Sequence, residues 1–567
     1  MANDENILTK PQLLVKELLA NDGEKIPISR GDIVVFVGSN NVGKTQILKD
    51  IHRTILRIGS ASVVLSEIKI NKVGDISYIK HNYSKVRGKD KYINYNGVYI
   101  EETDFELEWN QGNFRRLGPA FVKYLDTENR LLIAKTAKQI PNNKIPENPV
   151  QYMYRDENVT EKISSLFEKV FDDKNLIVNY RGGLDIPVHI GSKISRTNGE
   201  DRVSNSYIDK LTKYPLIEEQ GDGMRSLAGI LMGLFVLDRS IYLLDEPEAF
   251  LHPGQARELG KLIASEVKGD SQIFISTHSE EFIKGLLDSK SDKVKMISVE
   301  RESTEQGDIN HLRILDNAKI ETLWSNPILK YSKVISGLFH SKVVICESDT
   351  DCLFYETIMD SISGDEYGSD ILFTHCGGKE RIGEVAKSLL SMNKKVCAVV
   401  DVDILNDKNK FRDLFVVMHG KFDEVEADFD LLTSEVAKVG REMNADTIKQ
   451  KINSILDTVQ SEEFPDDAAK KIKDVMKGST GWKRMKKSVA NTLKDKIDAK
   501  EAFNRILHKC SEKGLFIVPV GEIEAFFPEI PGHANKWLAS FLEKYEVSLN
   551  PQELKEAEDF VKKIYEF

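Results

Sequence analysis

A chain of 567 residues, 41% of them hydrophobic and 30% charged, is too long for one core and too apolar to stay disordered, so two large domains, or two with an insertion, are expected. A formal charge of −11 excludes attraction of nucleic acid by the surface as a whole and leaves any such contact to local basic patches. Five cysteines without a CxxC pair fit reduced core thiols rather than a disulfide scaffold, and the longest apolar run, LAGILMGLFVL, is a buried-helix candidate too short to cross a bilayer.

In chain order, the opening MANDENILTK carries acids where an export signal needs a basic region and an apolar stretch, so a cytoplasmic protein with no membrane partner is expected. The apolar strand IVVFV then leads into Gly38-Ser39-Asn40-Asn41-Val42-Gly43-Lys44-Thr45, with a helix after it. That is the setting of a phosphate-binding P-loop. Gly38 and Gly43 let the amides of the loop, through Ser39, Asn40 and Asn41, turn toward the phosphates of ATP. The helix start adds its positive end, Lys44 reaches the outer phosphates and Thr45 ligates magnesium. Residues 60–217 alternate in short stretches such as YINYNGVYI and ELEW, read as strands, with polar turns such as PNNKIPENP.

GDGMRSLAGILMGLF places Gly223 and Arg225 at the start of a buried helix. SIYLLDEPEAFLHP ends an apolar strand in Asp245, suited to the magnesium shell, and Glu246, suited to orient or deprotonate the attacking water. QIFISTHSEEF puts His278 at another strand end, within reach of a terminal phosphate. SVERESTEQGDINHLRIL predicts a hairpin and NAKIETLWSNPILKYSKVISGLF a helical connector. An ATPase domain over 1–335, with residues 60–217 as a mixed insertion, is the expectation.

The second half, 336–567, carries three apolar strands ending in acid: KVVICES with Glu347 and Asp351, VCAVVDVD with Asp401 and Asp403, and LFIVPVGEIE with Glu522 and Glu524. Carboxylates at the carboxyl ends of parallel strands converge in one crevice, and oxygen-rich sets there select Mg2+ or Mn2+. Glu347 and Asp351 lie one helical turn apart if a helix begins just after the strand, and Asp401 and Asp403 share one face of a strand because side chains alternate with period two. HCGGKERIGEVAKSLL fills the interval with a strand-to-helix turn. Residues 405–512 are charged and helix-patterned, an expected insertion in the sheet. Within it KGSTGWKRMKKSVANTLKDK gathers Lys477, Lys483, Arg484, Lys486 and Lys487 around Trp482, a patch suited to backbone phosphates.

The P-loop, signature-like helix start, Asp245-Glu246 and His278 together resemble the ABC-type ATPases of the SMC and RecF kind. That resemblance implies a dimer in which Gly223 and Arg225 complete the nucleotide site of a second subunit. ESDTD followed by VVDVD resembles a Toprim domain. The two in one chain resemble the OLD (overcoming lysogenization defect) family, with nuclease effectors in antiphage systems such as Gabija and certain retrons. The resemblance implies an α/β chain, an ABC-type P-loop ATPase lobe followed by a Toprim domain with a parallel sheet and a helical insertion. It further implies metal-dependent cleavage or nicking of DNA under ATP control. Glu347, Asp351, Asp401 and Asp403 match the family's acidic positions, Glu522 or Glu524 its later acid, and Lys483 is the candidate for its lysine. Two divalent ions about 4 Å apart would activate water and stabilise the leaving oxygen. A helicase partner is implied by the Gabija likeness, a reverse transcriptase with its RNA/DNA product by the retron likeness. Two other readings compete: a non-cleaving repair or recombination ATPase, and a nucleotide-switched scaffold.

Overall fold

The computed structural model describes residues 9–567 apart from 60–61, 88–89, 143, 197–199, 268, 306, 317–319, 321–323, 325–334, 364–369, 440–444, 460–463, 478–479 and 548–550. The chain divides into two compact units, Met1–Trp324 and Ser325–Phe567, so the division falls slightly before the boundary at 335/336. The connector read over NAKIETLWSNPILKYSKVISGLF lies largely outside the described residues.

In the first unit six strands form one sheet in the order Gly307–Ile314, Val294–Thr304, Ile33–Val37, Gln272–Ser276, Ile241–Asp245, Val122–Leu125. All neighbours run parallel except the edge strand Gly307–Ile314, which closes a hairpin on Val294–Thr304. The central strands Ile33–Val37 and Gln272–Ser276 are buried throughout, as expected where helices cover both faces. The P-loop helix Lys44–Leu56 and an antiparallel sheet of Lys25–Pro27, Gln12–Ala20 and Leu65–Val73 share one core, with Phe36, Ile47, Ile51, Leu18 and Phe274 at its centre.

YINYNGVYI forms the strands Asp90–Tyr95 and Val98–Glu101 around Asn96 and Gly97, both at positive φ, the turn that matches strand twist. ELEW departs from its reading as a strand. It lies inside the helix Glu102–Gln111 because Phe105 and Trp109, four residues apart, are both buried, while Leu107 points outward, 51% exposed. Glu108 fixes that face by accepting from the backbone N–H groups of Arg116 and Leu117. LAGILMGLFVL falls mainly in the helix Asp222–Phe235, buried from Ser226 to Leu234.

The second unit is built on a parallel sheet in the order Ile371–His375, Lys342–Cys346, Lys395–Val400, Leu515–Ile517. The helices Asp349–Ser363, Asn535–Val547 and Pro551–Glu566 bring Phe354, Trp537, Phe541 and Phe560 onto one of its faces. Between the last two strands in sequence, the described elements of 408–511 are helices joined by turns, from Lys408–Val417 to Ile497–Ser511. The short helix Gly481–Lys487 belongs to this stretch and reaches the carboxyl end of the sheet. A Cβ at Gly521, φ +127°, would lie 2.1 Å from the carbonyl oxygen of Lys486, so only glycine admits that approach.

Candidate functional site

The nucleotide site is assembled by three neighbouring strand ends. After Ile33–Val37 the chain turns through Gly38, Asn41 and Gly43, all at positive φ, into the helix at Lys44. Gly38 is packed so closely that a Cβ would sit 2.2 Å from the carbonyl oxygen of Val299. Lys44 folds back along the loop, its Nζ donating to the carbonyl oxygens of Gly38 (2.8 Å) and Ser39 (2.6 Å). Thr45 Oγ1 donates to Asp245 Oδ1 at 2.7 Å, Ser276 donates to the same oxygen, and Tyr124 reaches Oδ2 at 3.4 Å. Asn40, Asn41, Gly43, Lys44, Thr45 and Glu246 border a cavity of about 930 Å³. The adjacent Thr45 hydroxyl and Asp245 carboxylate are the oxygen donors a phosphate-bound magnesium ion takes, so the site fits ATP with its metal.

Glu246 stands at φ +47°. His278 Nδ1 faces its Oε1 at 3.2 Å. This hydrogen bond holds the Glu246 carboxyl below its ordinary range and raises the imidazole of His278. Behind them Glu248 is buried and takes hydrogen bonds from Thr277 Oγ1 (2.7 Å) and the N–H of His278 (3.2 Å). Burial pushes its carboxyl up. Arg130, fully buried, donates to the carbonyl oxygens of Asp245 and Glu246. Neither Glu248 nor Arg130 is visible as a site residue in the sequence. Gly223 and Arg225 open the helix Asp222–Phe235, where Arg225 pairs with Asp222 at 2.9 Å. They are not among the residues bordering the cavity.

The acidic site occupies the carboxyl end of the second unit's sheet. Glu347 follows the strand Lys342–Cys346, and its Oε1 accepts from the N–H of Asp401 at 3.0 Å. Carboxylate oxygens of Glu347, Asp401 and Asp403 lie within 4.8 Å of one another. The strand that should have carried Asp401 and Asp403 on one face ends at Val400. Asp401 instead caps a 3₁₀ turn, Val402–Asn406, and that turn brings Asp403 back beside it. Asp351 is in the first turn of Asp349–Ser363, its Oδ2 accepting from the N–H of Ser348 at 2.9 Å. Glu347 lies before that helix.

Burial, then the charge of Asp401, pushes the Glu347 carboxyl up to about 7 and that of Asp351 up to about 6. Burial also raises Asp401 in spite of a nearby ammonium. That ammonium is Lys486, 2.7 Å from Asp401 and 3.6 Å from Glu522. Lys379 pairs with Asp403 Oδ2 at 2.9 Å, while Asp403 Oδ1 is buried without a hydrogen-bond partner among the described residues. An orphaned carboxylate oxygen in an all-oxygen cluster fits a hard divalent cation.

Lys483, expected at this site, is exposed on the same helix as Lys486, its N–H donating to the capping Thr480. Burial of Met485 and the close contact at Gly521 turn Lys486 toward the acids instead. Glu522 and Glu524 form a second group with His533, their ligand atoms within 4.8 Å. His533 Nδ1 is 2.7 Å from Glu524 Oε1. Burial raises the Glu522 carboxyl. His533 went unread in the sequence because it stands in a turn with no strand before it.

Comparison with known proteins gives the class. Residues 152–284 match the family described as "AAA domain, putative AbiEii toxin, Type IV TA system", and residues 338–403 match "Overcoming lysogenization defect protein-like, TOPRIM domain". The chain therefore carries an ATPase domain followed by an OLD-like Toprim domain, the order of an OLD-type ATPase and Toprim chain. The first match holds Asp245 and His278, and the second holds all four acids from Glu347 to Asp403. An uncharacterized ABC transporter ATP-binding protein of Methanocaldococcus jannaschii is 23% identical over 247 residues, 38% of this chain and 81% of that one. Among solved structures, the Smc head domain of Pyrococcus furiosus bound to the C-terminal domain of ScpA is 14% identical (TM-score 0.31), covering 55% of this chain and 98% of that one. The SMC head domain from Thermotoga maritima is 10% identical (TM-score 0.28), covering 53% and 98%. No helix among the described residues is long and apolar enough to cross a membrane.

Proposed function

We propose that this protein is an ATP-regulated, divalent-metal-dependent DNA endonuclease or nickase serving as the effector of an antiphage defence system. The observation that carries the reading is the convergence of Glu347, Asp401 and Asp403, residues from two separate strand ends, on one cluster of oxygens. In this reading Glu347, Asp351, Asp401 and Asp403, with Glu522 and Glu524 beside them, hold Mg2+ or Mn2+. The metal supplies an activated water and stabilises the leaving oxygen of a DNA phosphodiester. Lys486 replaces Lys483 as the lysine that offsets charge near the phosphate. Lys44 and Thr45 bind ATP, Asp245 supports its magnesium, Glu246 orients or deprotonates water, and His278 tunes Glu246. Gly223 and Arg225 act across a homodimer or higher assembly. A helicase, or a reverse transcriptase with its RNA/DNA product, is the partner that would deliver the trigger.

Plasmid cleavage with Mg2+ or Mn2+, wild type against Asp401→Ala, tests the core of this. Metal-dependent nicks from the wild type that vanish in the variant are expected. The ion pairs of Lys486 with Asp401 and Lys379 with Asp403 favour a second reading, a DNA repair ATPase whose neutralised acids bind without cutting. Wild-type protein that binds DNA and hydrolyses ATP yet yields no metal-dependent product would select it.

A further inference from the structure

We infer that Arg130 is a positioning residue for ATP hydrolysis, holding the backbone of Asp245 and Glu246 so that the Glu246 carboxylate keeps its place. This rests on the reading of Glu246 as the group that handles the attacking water.

The placement begins with local structure. The strand Val122–Leu125 runs parallel beside Ile241–Asp245, and Asp126 caps the helix Thr127–Ile133 directly after it, its Oδ1 accepting from the N–H of Asn129 at 2.8 Å. The first turn of that helix therefore lies next to the Asp245–Glu246 turn. From it the Arg130 guanidinium donates through Nη1 to the carbonyl oxygens of Asp245 (2.6 Å) and Leu125 (3.3 Å). Nη2 donates to the carbonyl oxygen of Glu246 (3.2 Å) and to Thr127 Oγ1 (3.3 Å). Its Nε is buried with no partner among the described residues.

Arg130 is 0% exposed, yet none of these four acceptors is a carboxylate. Burial of that cation is costly, and the carboxylates of Glu248, Asp245, Asp126 and Glu246 offset it through space rather than by direct pairing. What the charge does secure is the peptide at Glu246, whose φ of +47° is a region non-glycine residues enter only when their surroundings hold them there. The planar guanidinium spreads its donors over two nitrogens and so holds four acceptors, the carbonyls of Leu125, Asp245 and Glu246 and the Thr127 hydroxyl, in one fixed geometry, whereas an ammonium offers three donors from a single point. The opposite side of the residue is equally constrained. A Cβ at Gly229, in the helix that begins with Gly223 and Arg225, would meet the Arg130 carbonyl oxygen at 2.1 Å. Arg130 thus touches the Glu246 turn with its side chain and the Asp222–Phe235 helix with its backbone, tying the two together.

Steady-state ATP hydrolysis, fluorescent-nucleotide binding and thermal melting of the full chain test this with Arg130→Lys, Thr127→Val and Glu246→Gln. In Arg130→Lys a small misplacement of Glu246 is expected to lower kcat by about 100-fold, with nucleotide affinity kept within about 3-fold. Thr127→Val is expected to give a smaller loss of the same kind, and adding Arg130→Lys to Glu246→Gln no further loss. A folded Arg130→Lys protein with wild-type kcat, or one whose affinity falls in step with kcat, overturns the inference. If Arg130→Lys does not fold, an unchanged kcat in Thr127→Val overturns it. Glu246→Gln turning over at the wild-type rate would instead remove the reading of Glu246 beneath it.

Discussion

The two sites solve the problem of gathered charge in opposite ways. Around the nucleotide cavity the acids have donors aimed at them: Thr45 and Ser276 on Asp245, His278 on Glu246, Thr277 on Glu248. Around the Toprim strands, among the described residues, the lysines paired with the six acids Glu347, Asp351, Asp401, Asp403, Glu522 and Glu524 are Lys379, on Asp403, and Lys486, on Asp401 and Glu522, and burial holds Glu347 near 7 and Asp351 near 6. The first site meets its acids with protein donors and takes an anion as ligand, leaving Glu248 Oε2 and Arg130 Nε as buried atoms without a hydrogen-bond partner among the described residues. The second stores repulsion that a divalent cation relieves, so metal binding there should be felt as stability as well as activity.

Removing one group from each site should separate them. Asp401→Ala is expected to cut metal-dependent cleavage by more than about 100-fold, the upper range for losing a mere outer-shell partner of a metal, with ATP binding unchanged by calorimetry. Lys44→Ala should do the reverse. Loss of a charged phosphate contact costs about 2–3 kcal/mol, or about 30- to 150-fold in ATP affinity, while Mn2+ titration of the acidic site stays as in wild type. If Lys44→Ala also weakened Mn2+ at the acids, the two sites would not be independent units of chemistry.

A finer cut compares two lysines on one helix. Lys486→Ala leaves the buried Asp401 without its cation and should cost about 1–3 kcal/mol in the metal-free protein, read as a lowered melting midpoint. Lys483→Ala, on the exposed side, should stay within about 0.5 kcal/mol. Gly521→Ala should resemble Lys486→Ala, because its methyl would press on the Lys486 carbonyl at 2.1 Å. Equal effects of the two lysines on both stability and cleavage would return Lys483 to consideration.

That contrast also shows where sequence reading stops. The P-loop, Asp245 with Glu246, and the strand-end acids were legible because each is a short apolar strand followed at once by its chemistry. Lys486 was not, because Lys483, Arg484, Lys486 and Lys487 are equivalent in composition. Which of them faces the acids depends on Gly521, far along the chain, and on the burial of Met485. Arg130 was hidden for a similar reason: its partners are carbonyl oxygens, which every residue has. ELEW alternates like a strand, but Phe105 and Trp109 are the residues that bury, and their spacing of four belongs to a helix. Asp401 and Asp403 meet through a 3₁₀ turn rather than strand alternation, a local geometry that alternation of polar and apolar residues does not announce.

A dependence of stability on pH is also expected at the acidic site, and its sign follows from burial. Glu347 goes from an ordinary 4.5 to about 7, and Asp351 from 3.8 to about 6. A carboxyl whose pKa is higher in the folded protein takes up a proton on folding. Its contribution to stability is complete below the unfolded value, near pH 4, and is lost as pH rises through about 6 to 7. In EDTA the melting midpoint should therefore fall between pH 5 and pH 8. Mg2+ or Mn2+ competes with those protons, so the stabilisation it gives should be larger at pH 8 than at pH 5. Glu347→Gln removes a group titrating near 7 and should flatten the EDTA profile between pH 6 and pH 8. A metal-induced shift of equal size at both pH values, with no flattening in Glu347→Gln, would mean that the acids of this cluster do not share their charge with a bound cation.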